Sequence, residues 1–256
     1  MSIALARPRL VGVRRLVADP ALVLSVAVIA VVALWVVLPS AFTAHDPIVG
    51  VSAEKLQPPS AAHWFGTDHL GRDVFARVVH GSSLTLLTAG LAIAVGLVAG
   101  TILGVLASTA GRFADATIMR FIDVLLAVPA FLISLCIVTA FSPGPLSLGL
   151  GVGIASIAVF ARVVRSEVLR IRNLDFVEAA FLSGGGYLSV VRRHILPNSL
   201  GPVLALVAVD LGAAILAISA LGFLGYGAPP PTPAWGVLVA EGRQYLGTAW
   251  WMTTFP

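Results

Sequence analysis

The stretch DFVEAAFLSGGGYLSVVRRHILP, Asp175–Pro197, is the longest charge-bearing passage between two strongly apolar segments of this 256-residue chain. Around it the sequence is 58% hydrophobic and only 11% charged, with a mean hydropathy of +0.99. A water-soluble domain has about 25% charged residues, so this chain has too few to cover a globular surface. Its solid apolar runs predict an all-α polytopic membrane bundle rather than a β-barrel, whose strands of ~10 residues would alternate in polarity.

Six apolar runs define the predicted organisation. We expect a basic N-terminal arm over residues 1–20 and a single transmembrane domain over 21–256. A signal peptide is the alternative for the first run, but its apolar core would have only about 7–15 residues and would precede an A-x-A-like cleavage site. Five spans and the start of a sixth are predicted at Ala21–Leu38, Leu84–Ala107, Ile118–Phe141, Leu146–Val164, Leu200–Phe223 and Gly247–Pro256.

The basic residues predict the orientation of these spans. The pI is about 10.0, and 12 of the 16 lysine and arginine residues lie in the N-terminal arm and at the two span junctions on the same side. Basic segments stay in the cytoplasm, so the N-terminus and the polar passage 165–199 are predicted to be cytoplasmic. The loop 40–83 then faces outward, and the basic pI requires no nucleic-acid partner.

The passage 175–197 has the pattern of two short helices joined by a glycine turn. Asp175 is placed to cap the first helix, with Glu178 three residues later at the capping-box position. Gly184–Gly186 end that helix and permit a reversal of the chain. The second helix is predicted over Tyr187–Ile195 and is expected to stop at Pro197.

This passage is too apolar for a freely solvated connector. The alternative is an ordinary solvated loop, whose side chains would be exposed to water. Apolar side chains instead favour burial against another surface. A cytoplasmic partner protein is the natural candidate. The apolar residues concerned are Phe181, Leu182, Tyr187, Leu188, Val190 and Val191.

The passage resembles the EAA motif of membrane permease subunits in binding-protein-dependent ABC importers. That motif reads E-A-A, three residues, G, nine residues, then I-x-L-P, and here Glu178–Ala180, Gly184 and His194–Pro197 keep the spacing. His194 replaces the usual isoleucine, and the H-I-L-P-N form is similar to the dipeptide/oligopeptide/nickel branch. Three further passages are similar to that branch: FGTDHLGRDVFARVVHG, RFIDVLLAVPAFL and FLGYGAPPPTPAWG.

The resemblance implies a type I ABC importer fold in a bacterial inner membrane. The motif would form the coupling helix, which fits a groove of a cytoplasmic ATPase. Partners would be a second homologous permease, two ATPase subunits that bind ATP and Mg²⁺, an extracytoplasmic substrate-binding protein and membrane lipid. Di- or oligopeptides are the expected substrates, with nickel or another small solute as the alternative. The ATPase-coupling residues would be Asp175, Glu178, Ala179, Ala180, Gly184, His194, Leu196 and Pro197.

No nucleotide site or catalytic motif is recognisable in the sequence. A P-loop needs Gly-Lys before Ser or Thr, whereas the single lysine, Lys55, precedes Leu56. The chain is therefore expected to bind no cofactor and to be no enzyme by itself. A stand-alone channel and a membrane-embedded enzyme remain the alternatives from a different class, and co-purification of an ATPase separates them from an importer.

Several residues outside the motif carry expectations of their own. Gly96, Gly100 and Gly104 fall four apart in the second span and predict close packing of another helix. Asp210 lies inside the fifth span, where a charge faces a pathway or a helix partner. Asp123 is expected to pair with Arg120 or Arg162.

The outer loop 40–83 has its own predicted structure. A short amphipathic helix is expected from Thr67 or Asp68, lying along the membrane surface with Leu70, Val74 and Val78 on one face. The loop also contains metal-capable side chains, but their spacings match no familiar ligand set, so no metal is expected. These side chains are His63, His69, His80, Asp68 and Asp73.

Overall fold

The computed structural model describes residues 19–256, apart from the side chain of Leu188, and the predicted N-terminal arm lies almost wholly outside them. Over this range the secondary structure is helical, without a strand. Short 3-10 turns flank the loops, and two π turns, Val191–Ile195 and Gly222–Tyr226, adjoin α8. The α-helices are α1 Pro20–Val37, α2 Val74–Thr109, α3 Arg112–Ala127, α4 Ala130–Ala140, α5 Pro145–Arg172, α6 Asp175–Leu182, α7 Tyr187–Val190, α8 Leu196–Leu221, α9 Trp235–Gly242 and α10 Trp251–Thr254.

Four helical segments of residues 19–256 are long and apolar enough to cross a bilayer: α1, α2, α5 and the run 191–226 that contains α8. The bent pair α3 and α4 adds a fifth if it counts as one span. This confirms the all-α bundle of apolar spans. The stretch predicted to begin a sixth span holds α10, which has four residues and packs into a buried cluster with Val74 and Leu238.

The third predicted span is not a straight helix, so that prediction was wrong in detail. α3 ends at Ala127, α4 begins at Ala130, and their axes differ by 88°. Pro129 has no N–H to continue the helix, and Val128 before it is extended, as the residue before a proline prefers to be. Hydropathy does not register such a bend, because it averages polarity along the chain and contains no information on backbone direction; α3 is amphipathic and α4 is apolar.

α5 lies at the centre of the bundle and makes its largest interface with α2. The three glycines predicted for close packing lie in this interface. A Cβ on Gly104 would lie 2.7 Å from the carbonyl oxygen of Ala161, and one on Gly96 would lie 2.9 Å from Cβ of Ser156. The missing side chains therefore let the two helix backbones touch, which is the usual role of G-x-x-x-G in membrane helices.

We expect Gly100→Ala to destabilise the α2–α5 contact by about 1–3 kcal/mol, because the added methyl would overlap Cβ of Phe160. The check is thermal unfolding of the purified chain in detergent. Gly90→Ala on the same helix is the matched control, since its Cβ would meet nothing within 4 Å and alanine favours helix. Equal unfolding temperatures for the two variants would contradict the tight contact.

The predicted short outer helix is not a separate element: α2 begins at Val74, ten residues before the predicted start of the second span, and it includes Val74 and Val78 of that outer helix. Asp73 caps α2 through its Oδ1, which accepts from the N–H of Ala76 at 2.7 Å. From there the helix runs unbroken for 36 residues into the second span. Thr67–Gly71 is a turn, and Leu70 is exposed outside the helix. The polar residues His80–Ser83 do not end the helix, because Ser82 and the residues around it pack inside the protein.

The two ends of the bundle carry different structures. The motif end holds α6 and α7, and the loop end holds residues 38–73 and 222–250. At the loop end four charged side chains form an ionic network: Asp68, Arg72, Arg77 and Glu241. Arg72 donates to Asp68 at 2.6 Å and to Glu241 at 3.1 Å, while Arg77 lies 3.3 Å and 3.1 Å from the same carboxylates.

The ionic network is buried. Arg77 is only 1% exposed and Asp68 only 2% exposed. Burial raises the pKa of Glu241, and the charge of Arg72 opposes that rise. Two arginines against two carboxylates leave the network neutral, which is what a buried charge cluster requires.

Candidate coupling site at the motif end

α6 begins one residue earlier than the capping pattern indicated. Leu174 is the N-cap residue, and its carbonyl accepts from the N–H groups of Val177 at 2.9 Å and Glu178 at 3.3 Å. Asp175 is therefore the first helical residue and makes no side-chain cap, so the predicted cap was wrong. Asp175 and Glu178 both lie in the first turn, where negative charge complements the helix dipole.

The glycine turn after α6 has the geometry of a Schellman motif. Gly184 has φ +85°, a left-handed conformation that favours glycine. Its N–H donates to the carbonyl of Phe181 at 3.0 Å, and the N–H of Gly185 donates to that of Ala180 at 3.1 Å. A Cβ on Gly185 would lie 2.7 Å from the Ala180 oxygen. The alanine of the motif and the glycines after it are thus parts of one reversal.

The second helix of the passage does not stop at Pro197, which corrects the prediction. α7 continues through the π turn Val191–Ile195 straight into α8. The N–H of Leu196 donates to the carbonyl of Val191, five residues back. Pro197 directly follows this π turn, whose shifted hydrogen-bond register accommodates the missing N–H of the proline. The reversal is therefore joined rigidly to the fifth span.

One face of the passage is buried against the ends of α5 and α8. Val177, Val190, Val191 and Ile195 are each at most 4% exposed. The sequence pattern did not single out Val177 or Ile195. They form one apolar cluster with Val164, Val168, Ile171 and Val203.

Polar contacts connect the passage to α2. Arg172 donates to the carbonyl of Ser108 at 3.3 Å, and its guanidinium lies 6.0 Å from the ring of Tyr187. The hydroxyl of Tyr187 donates to the carbonyl of Thr109 at 3.3 Å, and its ring stacks on Phe181 at 6.0 Å. The passage is thus attached to three spans: α2, α5 and α8.

The opposite face of the passage is exposed, and we call it the EAA face. Leu182 is 83% exposed and Phe176 is 44% exposed, both unusual for apolar side chains at a polar end of a bundle. Val190 and Val191, which were expected to need a partner, are instead covered by the chain itself. The EAA face comprises Asp175, Phe176, Glu178, Ala179, Leu182 and Tyr187.

The comparison with protein families matches this arrangement to a known group. The family model described as "Binding-protein-dependent transport system inner membrane component" matches residues 92–255. The chain belongs to this family. That range contains α5 to α8 and the whole EAA passage.

Curated relatives of this permease family cover most of the chain. The probable D,D-dipeptide transport system permease protein of Escherichia coli (strain K12) is 37% identical over 93% of this chain and 80% of its own length. The di/tripeptide transport system permease protein of Pseudomonas aeruginosa (strain UCBPP-PA14) is 36% identical over 83% of this chain and 72% of its own length. Among solved structures, a chain of the MetNI methionine ABC transporter in inward-facing conformations has a TM-score of 0.56. At 19% identity, covering 66% of this chain and 80% of that one, it shows a shared fold.

The remaining motif residues of this permease lie beside the EAA face or beneath it. Ala180 is partly buried and packs against the apolar cluster. His194 is partly buried, and its carbonyl accepts from the side chain of Asn198 at 2.6 Å. Leu196 packs against the cluster, whereas Pro197 and Gly184 are exposed. The predicted coupling residues therefore lie within one continuous segment, some on its surface and some in its base.

Asp210 lies apart from that segment, 14 residues beyond Leu196 and so about 21 Å further along α8. It is half-buried near Ser156 of α5. One carboxylate oxygen, Oδ2, is buried without a hydrogen-bond partner among the described residues. The structure does not bring Asp210 together with the motif, so any role it has is separate.

Two other charged residues pair across the bundle near the motif end. Asp123 on α3 pairs with Arg162 on α5, as expected, and both are exposed. A second ion pair joins Asp115 on α3 to Arg165 on α5. It is partly buried, and the Asp115 carboxylate accepts two hydrogen bonds from the Arg165 guanidinium. Both pairs connect α3 to α5.

The candidate histidines do not form one site. His80 bonds to the carbonyl of Ala76 at 2.9 Å. His69 stacks on Tyr245 beside the ionic network. His63 lies 2.8 Å from Asp73 on another side of the loop end. The five metal-capable side chains of the outer loop therefore do not lie together. His63 and Asp73 remain adjacent, and His69 remains close to Asp68.

Proposed function

We propose that this permease is one of two membrane subunits of an ATP-driven importer for di- or oligopeptides. The two relatives reported above are described as permeases of a probable D,D-dipeptide transport system and of a di/tripeptide transport system, which supports this substrate class. Each permease subunit would form half of the translocation pathway. The observation that carries the proposal is the EAA passage, buried on one face and exposed on the other.

This two-faced build suits a part that transmits movement. The buried face is packed to 4% exposure or less against α5 and α8, so the passage moves only with those spans. The exposed Leu182 and Phe176 offer an apolar contact for a groove in an ATPase. Closure of the ATPase on ATP would thus reorient the spans.

The proposed partners follow from the same features. ATP and Mg²⁺ would be bound by two ATPase subunits, since Lys55 belongs to no P-loop. A second permease would cover apolar side chains on the outer surface of α8, among them Leu204, Val209 and Leu216, with lipid around both subunits. A substrate-binding protein would dock at the loop end.

We also propose that the motif end is cytoplasmic, in a bacterial inner membrane with the N-terminus on the same side. Six arginines lie at or near this end, at positions 162, 165, 170, 172, 192 and 193. At the loop end Arg72 and Arg77 are neutralised inside the ionic network. Three of the six pair with nearby carboxylates, and the other three have no acidic partner among residues 19–256. The larger number of basic side chains therefore lies at the motif end.

Co-purification tests the importer directly. The tagged chain, extracted in a mild detergent from its own host, is expected to retain a soluble subunit with a P-loop, detectable by mass spectrometry. Reconstituted with that subunit and the binding protein, it should accumulate peptide only when ATP is supplied. A preparation that never contains a P-loop protein, yet passes solute through liposomes, would identify a stand-alone channel instead.

We propose that Asp210 lines the pathway. Asp210→Asn is expected to lower peptide transport about tenfold, because it removes the charge of a half-buried carboxylate whose Oδ2 has no hydrogen-bond partner among the described residues. Transport in liposomes and subunit assembly by gel filtration are measured separately. Asp123→Asn, at an exposed ion pair, is the control and should leave transport unchanged. Normal transport by Asp210→Asn would exclude the pathway role.

A further inference from the structure

A second cluster at the loop end has the composition of a metal site. His45, His63 and Asp73 come from three separate turns of the loop and meet at the start of α2. Their ligand atoms all lie within 4.8 Å of one another. We propose that these three side chains bind a divalent transition-metal ion, with Zn²⁺ as the probe. The sequence did not predict this because His45 lies 18 and 28 residues from its partners.

The distances between the ligand atoms suit a tetrahedral ion. Asp73 Oδ2 lies 2.8 Å from Nδ1 of His63 and 3.8 Å from Nδ1 of His45. Zinc–nitrogen and zinc–oxygen bonds of about 2.0–2.1 Å place neighbouring ligands about 3.3–3.4 Å apart. The two observed distances lie on either side of that value and differ from it by about half an ångström. The ligand atoms of His45 and His63 lie within 4.8 Å of each other and would have to come closer to bind one ion.

The surrounding contacts hold the ligands in orientation. Asp73 uses Oδ1 to cap α2, which leaves Oδ2 for an ion. The other ring nitrogen of His63, Nε2, lies 3.5 Å from a carboxylate oxygen of Glu54. A carboxylate behind a ligating histidine is the usual outer partner in metal sites, since it fixes the ring and its tautomer.

The site is open on one side. His63 and Asp73 are buried, at 6% and 4% exposure, whereas His45 is exposed. A cavity of about 220 Å³ adjoins His45 and Asp73 and is otherwise lined largely by apolar side chains, including Trp64 and Phe75. An ion held by three protein ligands would keep a fourth position toward this cavity, available to water or to a donor group of a small ligand.

The neighbouring cluster of Asp68, His69 and Glu241 is a poorer candidate. Its carboxylates already accept from Arg72 at 2.6 Å and 3.1 Å. A cation there would have to displace a guanidinium and would lie beside two positive charges. No arginine or lysine pairs with Asp73 among the described residues, so charge favours the first cluster.

Zinc binding to the purified full chain tests the site. The chain carries a tag without histidine and is titrated with Zn²⁺ against a chromogenic chelator. We expect one tightly bound ion per chain, and affinity at least 100-fold lower in His45→Ala, whose side chain is 51% exposed and packs only on the ring of His63 among the aromatic side chains nearby. Glu54→Gln should lower affinity about 10–100-fold, as loss of an outer partner does. His69→Ala is the matched control and should bind as the unaltered chain does.

Two outcomes overturn the proposal. One is the absence of tight binding in the unaltered chain, and the other is equal loss, or no loss, in His45→Ala and His69→Ala. X-ray absorption at the zinc edge adds a second measurement, with imidazole nitrogens expected at about 2.0–2.1 Å. Neither experiment involves an ATPase or transport, so the result is independent of the importer function.

Discussion

Asp68→Asn is expected to unfold the loop end at a temperature where the rest of the bundle remains helical. The change leaves Arg72 and Arg77 buried with one carboxylate between them, and removing one partner of a buried ion pair costs about 3–5 kcal/mol. Tryptophan fluorescence reports on this region, because Trp35, Trp235 and Trp251 pack in the loop-end cluster. Thermal melts in detergent, followed by fluorescence and by circular dichroism, give the two transitions.

Asp123→Asn is the control for this experiment. It breaks the ion pair with Arg162. The side chains of Asp123 and Arg162 are 58% and 54% exposed, and exposed pairs contribute only about 0–1 kcal/mol to the free energy of unfolding. Glu241→Gln should cost less than Asp68→Asn, since burial already raises the pKa of Glu241 and so disfavours its charge. Equal melting of the Asp68 and Asp123 variants would mean that the network contributes nothing to stability.

Leu182→Asp is expected to abolish ATPase retention while leaving the chain folded. Leu182 is 83% exposed, so the substitution changes stability by about 0.5 kcal/mol or less. Buried in a partner groove, the same side chain would act as an apolar anchor worth about 2 kcal/mol or more, which is roughly 30-fold in affinity. The amount of ATPase that co-purifies with the chain is the measurement, and ATP-dependent transport should fall with it.

Leu246→Asp is the matched control for the EAA face. Leu246 is also exposed, at 57%, but it lies at the loop end. Its substitution should leave ATPase retention unchanged. If Leu182→Asp retained as much ATPase as Leu246→Asp, the EAA face would not be the docking surface.

The spans and the glycine turn were predictable from sequence because each depends on local physics. A bilayer demands long apolar helices, so hydropathy located the spans to within a few residues at most ends. Gly184 was identified as a turn because a left-handed residue after a helix is most often glycine. The spacing of Gly96, Gly100 and Gly104 likewise indicated a close helix contact without naming the partner helix.

Other features depend on contacts between distant residues, which a single sequence does not reveal. Glu241 meets Arg72 across 169 positions, and His45 meets Asp73 only after the loop folds back. Pro197 was expected to stop a helix, but the π turn before it shifts the hydrogen-bond register, and the helix continues. In each case the tertiary arrangement changed what the local pattern indicated.

α2 is one unbroken helix that runs from the loop end to the motif end. Its 36 residues are about 54 Å long, whereas the hydrocarbon core is only about 30 Å thick. Arg77 joins its first turns to the ionic network, and Thr109 at its last residue accepts from Tyr187. A swing of about 5° around the motif end would therefore displace the opposite end by about 5 Å, close to one helical turn. A small rotation at the motif end would thus become a displacement of several ångströms at the loop end.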